Sequence, residues 1–289
     1  MRFGSTVPLA SFVPPTSGAG QLSAGERYEQ SVAQVPRALE ALIAAGCEFA
    51  EFGVGMTAPE LPESAFEGFR RAVEASGLRA ECFNSYIPPR LKLVGPNRDW
   101  KAIQQYVAVS AERMASLGGE VVVFGSGGAR SVPEGYPRQK AEAELIEFLQ
   151  MAGEHAQRFG LQIAVEPLNR RESNILNTIA EALALVERVA HPHVGVLADF
   201  YHLDEEGEPF EHIAQAGERL FHVHVADTGR LYPGSGSYDY PSFYAALQDA
   251  GYDRRISIEC NWHNFAEEVG PAMRFLRESY RAFLESQGS

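Results

Sequence analysis

The stretch VGVLADFYHLDEEGEPFEHIAQAGERLFHVHVAD, residues 194–227, decides the fold. It begins and ends with short runs rich in Val, Leu and Phe, VGVLAD (194–199) and LFHVHVAD (220–227), which are separated by a longer polar segment. Short apolar runs that alternate with longer helical segments are typical of βα units, which build a parallel sheet. The same alternation extends from this stretch in both directions along the chain.

The alternation predicts eight β-strands. Their expected first residues are Arg2, Cys47, Arg79, Glu120, Leu161, Val194, Leu220 and Arg255. The segments between them carry helical signals; residues 137–159, for example, place apolar side chains on one face and end at Gly160, a usual stop. No linker divides the units. The G-x-G-x-x-G motif that follows the first strand of a dinucleotide-binding Rossmann sheet is also absent here. We therefore expect an α/β protein in which residues 1–289 form a single (β/α)8 TIM-barrel domain.

Proline and glycine predict three further boundaries. Pro36 stands where the first helix would begin or restart, and the last helix is expected over residues 271–284, from Pro271 onwards. Residues 10–25 contain several prolines and glycines and follow the first strand. We expect them to form a long loop over the barrel mouth.

The composition indicates a globular protein. Apolar residues make up 45% of the chain and charged residues 22%, while the net charge of −13, without a basic cluster, argues against a nucleic-acid partner. No apolar run approaches the roughly 20 residues that span a bilayer, and no secretory signal is recognisable, so no membrane partner is expected. The three cysteines, Cys47, Cys82 and Cys260, are too widely spaced for a disulfide framework. We expect buried, reduced thiols in a cytoplasmic protein.

Four consecutive predicted strands carry, at or near their ends, a side chain that can bind a metal: Glu166, Asp199, His224 and Glu259. The carboxyl ends of the strands of a (β/α)8 barrel meet at one face, where the active sites of such enzymes lie. Three carboxylates and one imidazole make an oxygen-rich site that suits Mn²⁺, Co²⁺ or Mg²⁺ and can take Zn²⁺. The sequence therefore predicts one bound divalent metal ion.

Other polar residues at strand ends each allow two interpretations. Glu51 on the second strand and Asn84 after the third could reach a substrate, or could form hydrogen bonds within the barrel. Arg130 ends the glycine-rich segment FGSGGAR (124–130) and could pair with a phosphate or carboxylate, unless the segment is a plain turn. His222 precedes His224 by two residues, so it should face inward one layer deeper, buried and hydrogen-bonded.

Motifs in the C-terminal half of the chain carry a resemblance to a known family. They are VEPLNRRE (165–172), ADFYH (198–202), HVADTGR (224–230) followed by PGSG (233–236), and IEC (258–260). In their order and spacing the chain resembles the xylose-isomerase-like family of TIM-barrel sugar isomerases and epimerases. It is most similar to the ketose 3-epimerase branch, which includes the D-tagatose and D-psicose 3-epimerases.

The resemblance implies roles for particular residues. The four strand-end residues named above would bind the metal, with Mn²⁺ the first candidate, and Glu166 and Glu259 would also transfer the proton. Three further residues would contact the oxygens of a small sugar substrate: Glu172, His202 and Arg230. The resemblance also implies a homo-oligomer, either a dimer or a tetramer.

Metal-assisted proton transfer explains why these residue types belong together. The C–H bond next to a ketose carbonyl is a very weak acid, and a metal held by the carbonyl and a neighbouring hydroxyl stabilises the enediolate. Two carboxylates on opposite faces of that carbon can remove a proton from one side and return one to the other, which inverts the carbon. The resemblance to the ketose 3-epimerases implies that this carbon is C3 of a free ketose, which is inverted through a cis-enediolate.

Several alternative functions use the same barrel. Return of the proton to the neighbouring carbon gives an aldose–ketose or hydroxypyruvate-type isomerase, and elimination gives a lyase or dehydratase that acts on a keto-inositol or a C-glycoside. A non-catalytic sugar-binding module would have no need of two carboxylates beside a metal. An AP endonuclease of this fold would need histidine ligands from the second and third strands, whereas the first histidine in the chain is His155.

Overall fold

The computed structural model describes residues 1–9 and 24–288. Eight parallel strands pair in chain order, and the eighth pairs with the first, which closes the barrel. The strands are β1 (Arg2–Thr6), β2 (Phe49–Gly53), β3 (Arg79–Asn84), β4 (Val121–Phe124), β5 (Gln162–Val165), β6 (Val194–Asp199), β7 (Leu220–Val225) and β8 (Arg255–Ile258). The predicted (β/α)8 TIM barrel is confirmed.

Ten α-helices lie in the described part of the chain, in the connections between the strands and after the last one. They are α1 (Ala24–Ala45), α2 (Glu63–Ser76), α3 (Trp100–Ser116), α4 (Gly127–Arg130), α5 (Arg138–Phe159), α6 (Ile179–Val189), α7 (Phe200–Glu206), α8 (Glu211–Ala216), α9 (Tyr240–Asp249) and α10 (Phe265–Gln287). Within residues 1–9 and 24–288, no helix has both the length and the apolar character needed to cross a membrane.

Two prolines lie inside helices that the sequence predicted to begin at or near them. Helix α1 starts at Ala24 and continues through Pro36, and α10 starts at Phe265, six residues before Pro271. Proline removes one backbone hydrogen bond, but the apolar face of each helix packs on the barrel and keeps the helix continuous. The loop predicted over residues 10–25 falls almost wholly on residues 10–23, which lie outside the described residues.

Apolar side chains fill the half of the barrel interior that lies nearer the amino-terminal ends of the strands. One buried cluster joins residues from six strands: Phe49, Cys82, Val121, Val123, Ala164, Leu197 and Phe221. Gly4 on β1 makes room for this layer, because a Cβ atom there would lie only 2.6 Å from the Phe49 ring. A second, larger cluster fills the space between the barrel and the helices. Polar groups are therefore concentrated at the two ends of the barrel.

The amino-terminal end of the barrel is closed by ion pairs. Glu81, which is fully buried on β3, lies 2.5 Å from Arg2 Nη1 and 3.7 Å from Arg255 Nε. Arg255 also pairs with Glu120 just before β4. This network ties the starts of β1, β3 and β8 together and leaves the opposite, carboxyl-terminal end for the other polar cluster.

Candidate functional site

The four predicted metal ligands lie together at the carboxyl-terminal end of the barrel. Glu166 directly follows β5, Asp199 ends β6, His224 is the fifth residue of β7, and Glu259 directly follows β8. One ligand atom from each of these side chains lies within 4.8 Å of those from the other three. Four adjacent strands thus deliver three carboxylates and an imidazole to one point.

The contacts within this cluster orient its donor atoms. His224 Nδ1 lies 3.1 Å from Glu166 Oε1 and 3.4 Å from Glu259 Oε2. Asp199 Oδ1 accepts a hydrogen bond from the backbone N–H of Tyr201 at 2.8 Å and thereby caps α7, while its buried Oδ2 has no partner. Buried carboxylate oxygens are rarely left without a partner, so this orphaned oxygen suits a site that accepts a cation.

Burial and crowding set the charges of the cluster. Burial raises the pKa of Asp199 to about 6, and burial together with the charge of Glu259 raises the pKa of Glu166. Burial would also raise the pKa of Glu259, but His224 and Arg230 outweigh it and lower that pKa to about 2. A single added cation would relieve the repulsion among these carboxylates.

The carboxylates around His224 determine the protonation of its imidazole ring. Burial alone would lower the pKa of His224, but the carboxylates around both ring nitrogens, Glu51, Glu259 and Glu166, hold that pKa well above its ordinary value. Both ring nitrogens of His224 are therefore protonated at neutral pH while no other cation is present, and the imidazole is cationic. A metal that binds Nδ1 must displace this proton.

Arg230 links two of the carboxylates. Its Nη1 donates to Glu172 Oε1 and its Nη2 donates to Glu259 Oε2, both at 3.0 Å. The Arg230 backbone has a φ of +60°, a strained value for a residue with a side chain, and its carbonyl accepts from the Asn261 N–H at 2.7 Å. Strained backbone of this kind is common at functional sites and here directs the guanidinium to the barrel mouth.

His202 presents a hydrogen-bond donor to the cluster. Its Nδ1 accepts from the backbone N–H of Asn169 at 3.2 Å, so the proton of the neutral ring lies on Nε2. Burial lowers the pKa of His202, which favours this neutral form. The buried Nε2 has no partner and lies 3.8 Å from Asp199 Oδ2. It is therefore free to donate to a molecule bound beside Asp199.

A cavity of about 430 Å³ opens next to the cluster. Of the predicted site residues, four contribute to its walls: Glu166, Glu172, Arg230 and Glu259. Asp199, His202 and His224 are buried behind this surface. The remaining walls come largely from residues 87–89 after β3 and residues 125–128 after β4. The role of residues 87–89 was missed from the sequence, although they follow a strand end in the proline-containing run CFNSYIPP (82–89).

Arg130, at the end of the glycine-rich segment after β4, supports the backbone of Glu166. Arg130 is fully buried, and its guanidinium donates to the carbonyls of Phe124 (3.0 Å), Glu166 (2.8 Å) and Leu176 (3.3 Å). A Cβ atom at Gly125 would lie 2.1 Å from Glu166 Oε2. The sequence interpretation in which Arg130 pairs with a phosphate or carboxylate is therefore wrong, because its donors are directed to backbone carbonyls.

Glu51 and His222 lie one layer below the cluster. Glu51 is fully buried and accepts from His222 Nε2 and His224 Nε2, both at 2.9 Å. Of the two interpretations of Glu51, the structure supports hydrogen bonding within the barrel. The prediction of a buried, hydrogen-bonded His222 is confirmed. Asn84 Nδ2 lies 3.5 Å from Glu259 Oε1 and so reaches the edge of the cluster.

The fold and this cluster define a class of protein. It is a closed (β/α)8 barrel whose carboxyl-terminal end carries a carboxylate-rich cluster of side chains that could hold a metal ion. The family model of the xylose isomerase-like TIM barrel matches residues 39–279. The chain therefore belongs to the xylose isomerase-like TIM barrel family.

The chain is similar in sequence to named relatives and in fold to a solved structure. The chain is 31% identical over 158 residues to an L-ribulose 3-epimerase of Methylomonas sp., a match that spans 48% of this chain and 55% of that protein. It is 29% identical over 223 residues to a probable ketose 3-epimerase of Synechocystis sp., spanning 69% and 76% of the two chains. A D-allulose 3-epimerase from Methylomonas sp., solved with D-allulose, superimposes with a TM-score of 0.78 over 96% of each chain at 22% identity.

Replacing Arg130 should destabilise the fold. In Arg130→Met, the carbonyls of Phe124, Glu166 and Leu176 each lose a hydrogen bond from a buried charged donor, and hydrogen bonds to charged groups contribute about 1.5–3 kcal/mol each. We expect the free energy of unfolding of the metal-free protein, measured by urea denaturation, to fall by at least about 3 kcal/mol in total. The control Arg138→Met alters an exposed guanidinium and should cost no more than about 1 kcal/mol. Equal losses in the two variants would contradict the structural role of Arg130.

Proposed function

We propose that this protein is a divalent-metal-dependent sugar epimerase that inverts C3 of a free ketose. One observation carries the proposal: Glu166 and Glu259 both belong to the four-residue cluster and both line the adjoining cavity. They are therefore placed to reach a molecule that is held by the same cluster. The names of the relatives, which are ketose and L-ribulose 3-epimerases, support a ketose as the substrate class.

The donor set fits a single divalent metal ion. Glu166, Asp199, His224 Nδ1 and Glu259 would hold it, and the orphaned Oδ2 of Asp199 would gain the partner that it lacks. Three carboxylate oxygens and one imidazole nitrogen favour Mn²⁺, with Co²⁺, Mg²⁺ and Zn²⁺ as the alternatives. When bound, the ion would act as a Lewis acid that makes the C–H bond beside the sugar carbonyl more acidic.

The residues of the chain would divide the reaction between them. Glu166 and Glu259 follow β5 and β8, with two strands between them, so they would approach a bound sugar from different sides. One carboxylate would remove the proton from C3 and the other would return a proton to the opposite face. His202 Nε2–H and Arg230 would donate to the sugar oxygens, and Glu172 would accept from a hydroxyl.

The other reactions of the same barrel differ in where the proton returns. An aldose–ketose isomerase would move a proton between C1 and C2, and a lyase or dehydratase would expel a leaving group from the enediolate instead of returning the proton. Incubation of the Mn²⁺-loaded protein with ketoses in D₂O separates these reactions. We expect deuterium at C3 together with the inverted epimer, whereas deuterium elsewhere, or release of a fragment or water, would contradict the proposal.

Loss of either glutamate should abolish inversion even while metal remains bound. General acid–base groups contribute about 10²–10⁴-fold in rate, so Glu166→Gln and Glu259→Gln should each lose nearly all epimerisation per metal-occupied site. Single-turnover exchange in D₂O at saturating Mn²⁺, with bound metal measured in parallel, tests this. One variant can retain exchange from one face without inversion.

Glu172→Gln serves as the matched control for the two glutamates. It makes the same chemical change in the cavity, outside the cluster, and should mainly raise KM. If Glu166→Gln and Glu259→Gln both keep near-normal exchange and inversion with metal bound, another base must act. His202 is then the first candidate.

Metal binding should release protons in a pH-dependent way. Because the pKa of His224 lies well above its usual value, Mn²⁺ should displace about one proton at pH 7. Asp199 is protonated below its pKa of about 6, so a further proton must leave there and the affinity should fall more steeply with decreasing pH. Calorimetry in buffers of different ionisation enthalpy measures this release. Asp199→Asn should lose the additional step below pH 6, and binding without proton release at pH 7 would contradict the assigned charges.

We also propose that residues 1–289 form one domain that assembles into a dimer or tetramer. The pairing of β1 with β8 leaves the barrel without an open edge. Two large apolar side chains, Ile43 on α1 and Leu284 on α10, are about half exposed at 46% and 47%, and α1 and α10 pack against each other. Sedimentation at micromolar concentration should show an oligomer, and a monomer alone would refute this proposal.

A further inference from the structure

A buried group of three side chains connects the cluster of Glu166, Asp199, His224 and Glu259 to the opposite side of the barrel. Glu51 lies on β2, and His222 and His224 lie on β7, three strands away around the closed sheet. All three side chains are fully buried. Glu51 Oε1 lies 2.9 Å from His224 Nε2, and Glu51 Oε2 lies 2.9 Å from His222 Nε2. The three residues therefore form one hydrogen-bonded unit across the barrel interior.

We propose that Glu51 is a positioning residue that fixes the tautomer and the ring orientation of His224 for metal binding. This inference rests on the proposed metal-dependent function. An ionised carboxylate can only accept hydrogen bonds, so the ring nitrogen of His224 that faces Glu51 must carry a proton. The other nitrogen, Nδ1, faces Glu166 Oε1 at 3.1 Å, and once a metal has displaced its proton it offers its lone pair to the cluster.

His222 keeps Glu51 in this orientation. It holds the second carboxylate oxygen, so that rotation of the carboxylate would break both 2.9 Å contacts at once. The two imidazole rings stand nearly perpendicular, at 82°, with their centroids 5.0 Å apart. Each ring therefore meets a different oxygen of the same carboxylate, and the two rings cannot exchange partners by a small movement.

The same three side chains could instead be read as a second metal site, since their ligand atoms also lie within 4.8 Å of one another. That reading requires His224 to bind one ion through Nε2 and another through Nδ1 with no proton on the ring. The triad has no exposed surface, and its two contacts already have normal hydrogen-bond lengths. The geometry therefore favours one metal ion in the four-residue cluster, with Glu51 and His222 forming hydrogen bonds that hold His224 in place.

Glu51→Gln tests the positioning role. The glutamine side chain offers one acceptor oxygen in place of two, and its neutral amide accepts a weaker hydrogen bond from His224 Nε2 than the ionised carboxylate does. Loss of such a partner of a ligating histidine typically weakens metal binding about 10–100-fold, and we expect this loss in the Mn²⁺ affinity measured by calorimetry at pH 7. An unchanged affinity, even in a less stable protein, would overturn the inference.

Glu81→Gln is the matched control. It makes the same change at another fully buried barrel carboxylate, but at the opposite end of the barrel, where Glu81 pairs with Arg2. It should lower the free energy of unfolding and leave the Mn²⁺ affinity unchanged. An equal loss of affinity in Glu81→Gln would show that the effect of Glu51→Gln reflects general destabilisation, and would also overturn the inference.

A second measurement needs no variant and so does not depend on the folding of Glu51→Gln. In the Zn²⁺-loaded natural protein, ¹⁵N NMR of the histidine side chains should show His224 with a proton on Nε2 and the metal on Nδ1. A metal-bound or unprotonated Nε2 would overturn the inference and favour the lower triad as a metal site. If the natural protein binds no metal, the proposed function itself fails; if it binds metal and epimerises while the Glu51 results are negative, only this inference fails.

Discussion

Repulsion among three clustered carboxylates, two of them buried and one partly buried, is the constraint on which the rest of the site depends. Glu166, Asp199 and Glu259 come together with His224 at the end of the barrel, within 4.8 Å and largely out of contact with water. Ionised groups are costly to bury unless opposite charges compensate them. Protonated His224 and Arg230 supply part of that compensation, and the raised pKa values of Glu166 and Asp199 indicate that it is incomplete. A divalent ion would complete it.

A layer of supporting contacts holds the cluster in place. Below it, Glu51 accepts from His224, and behind it the buried Arg130 holds the carbonyl of Glu166. Beside it, Asp227 organises the loop that carries Arg230, since its carboxylate accepts from the N–H groups of residues 228, 234 and 238. Such supporting contacts set the orientation of ligating groups and their affinity for metal. The strained backbone of Arg230 is stable because this loop is fixed on both sides.

The sequence predicted the strands and the four-residue cluster because both follow from local rules. Apolar runs mark the strands, and parallel strands in a closed barrel must bring Glu166, Asp199 and Glu259 to one end. The partners of Glu51 and Arg130 could not be predicted, because they depend on contacts across the barrel and on backbone carbonyls that no motif records. The continuation of α1 through Pro36 also escaped prediction, because packing on the barrel outweighs the local effect of proline.

The central claim is that one divalent ion joins these four side chains at the barrel mouth. Anomalous diffraction at the manganese edge, from crystals grown with Mn²⁺, tests it most directly. The account predicts one strong peak per chain, within bonding distance of carboxylate oxygens of Glu166, Asp199 and Glu259 and of Nδ1 of His224. A peak between Glu51, His222 and His224, or no peak in the cluster at saturating Mn²⁺, would contradict it.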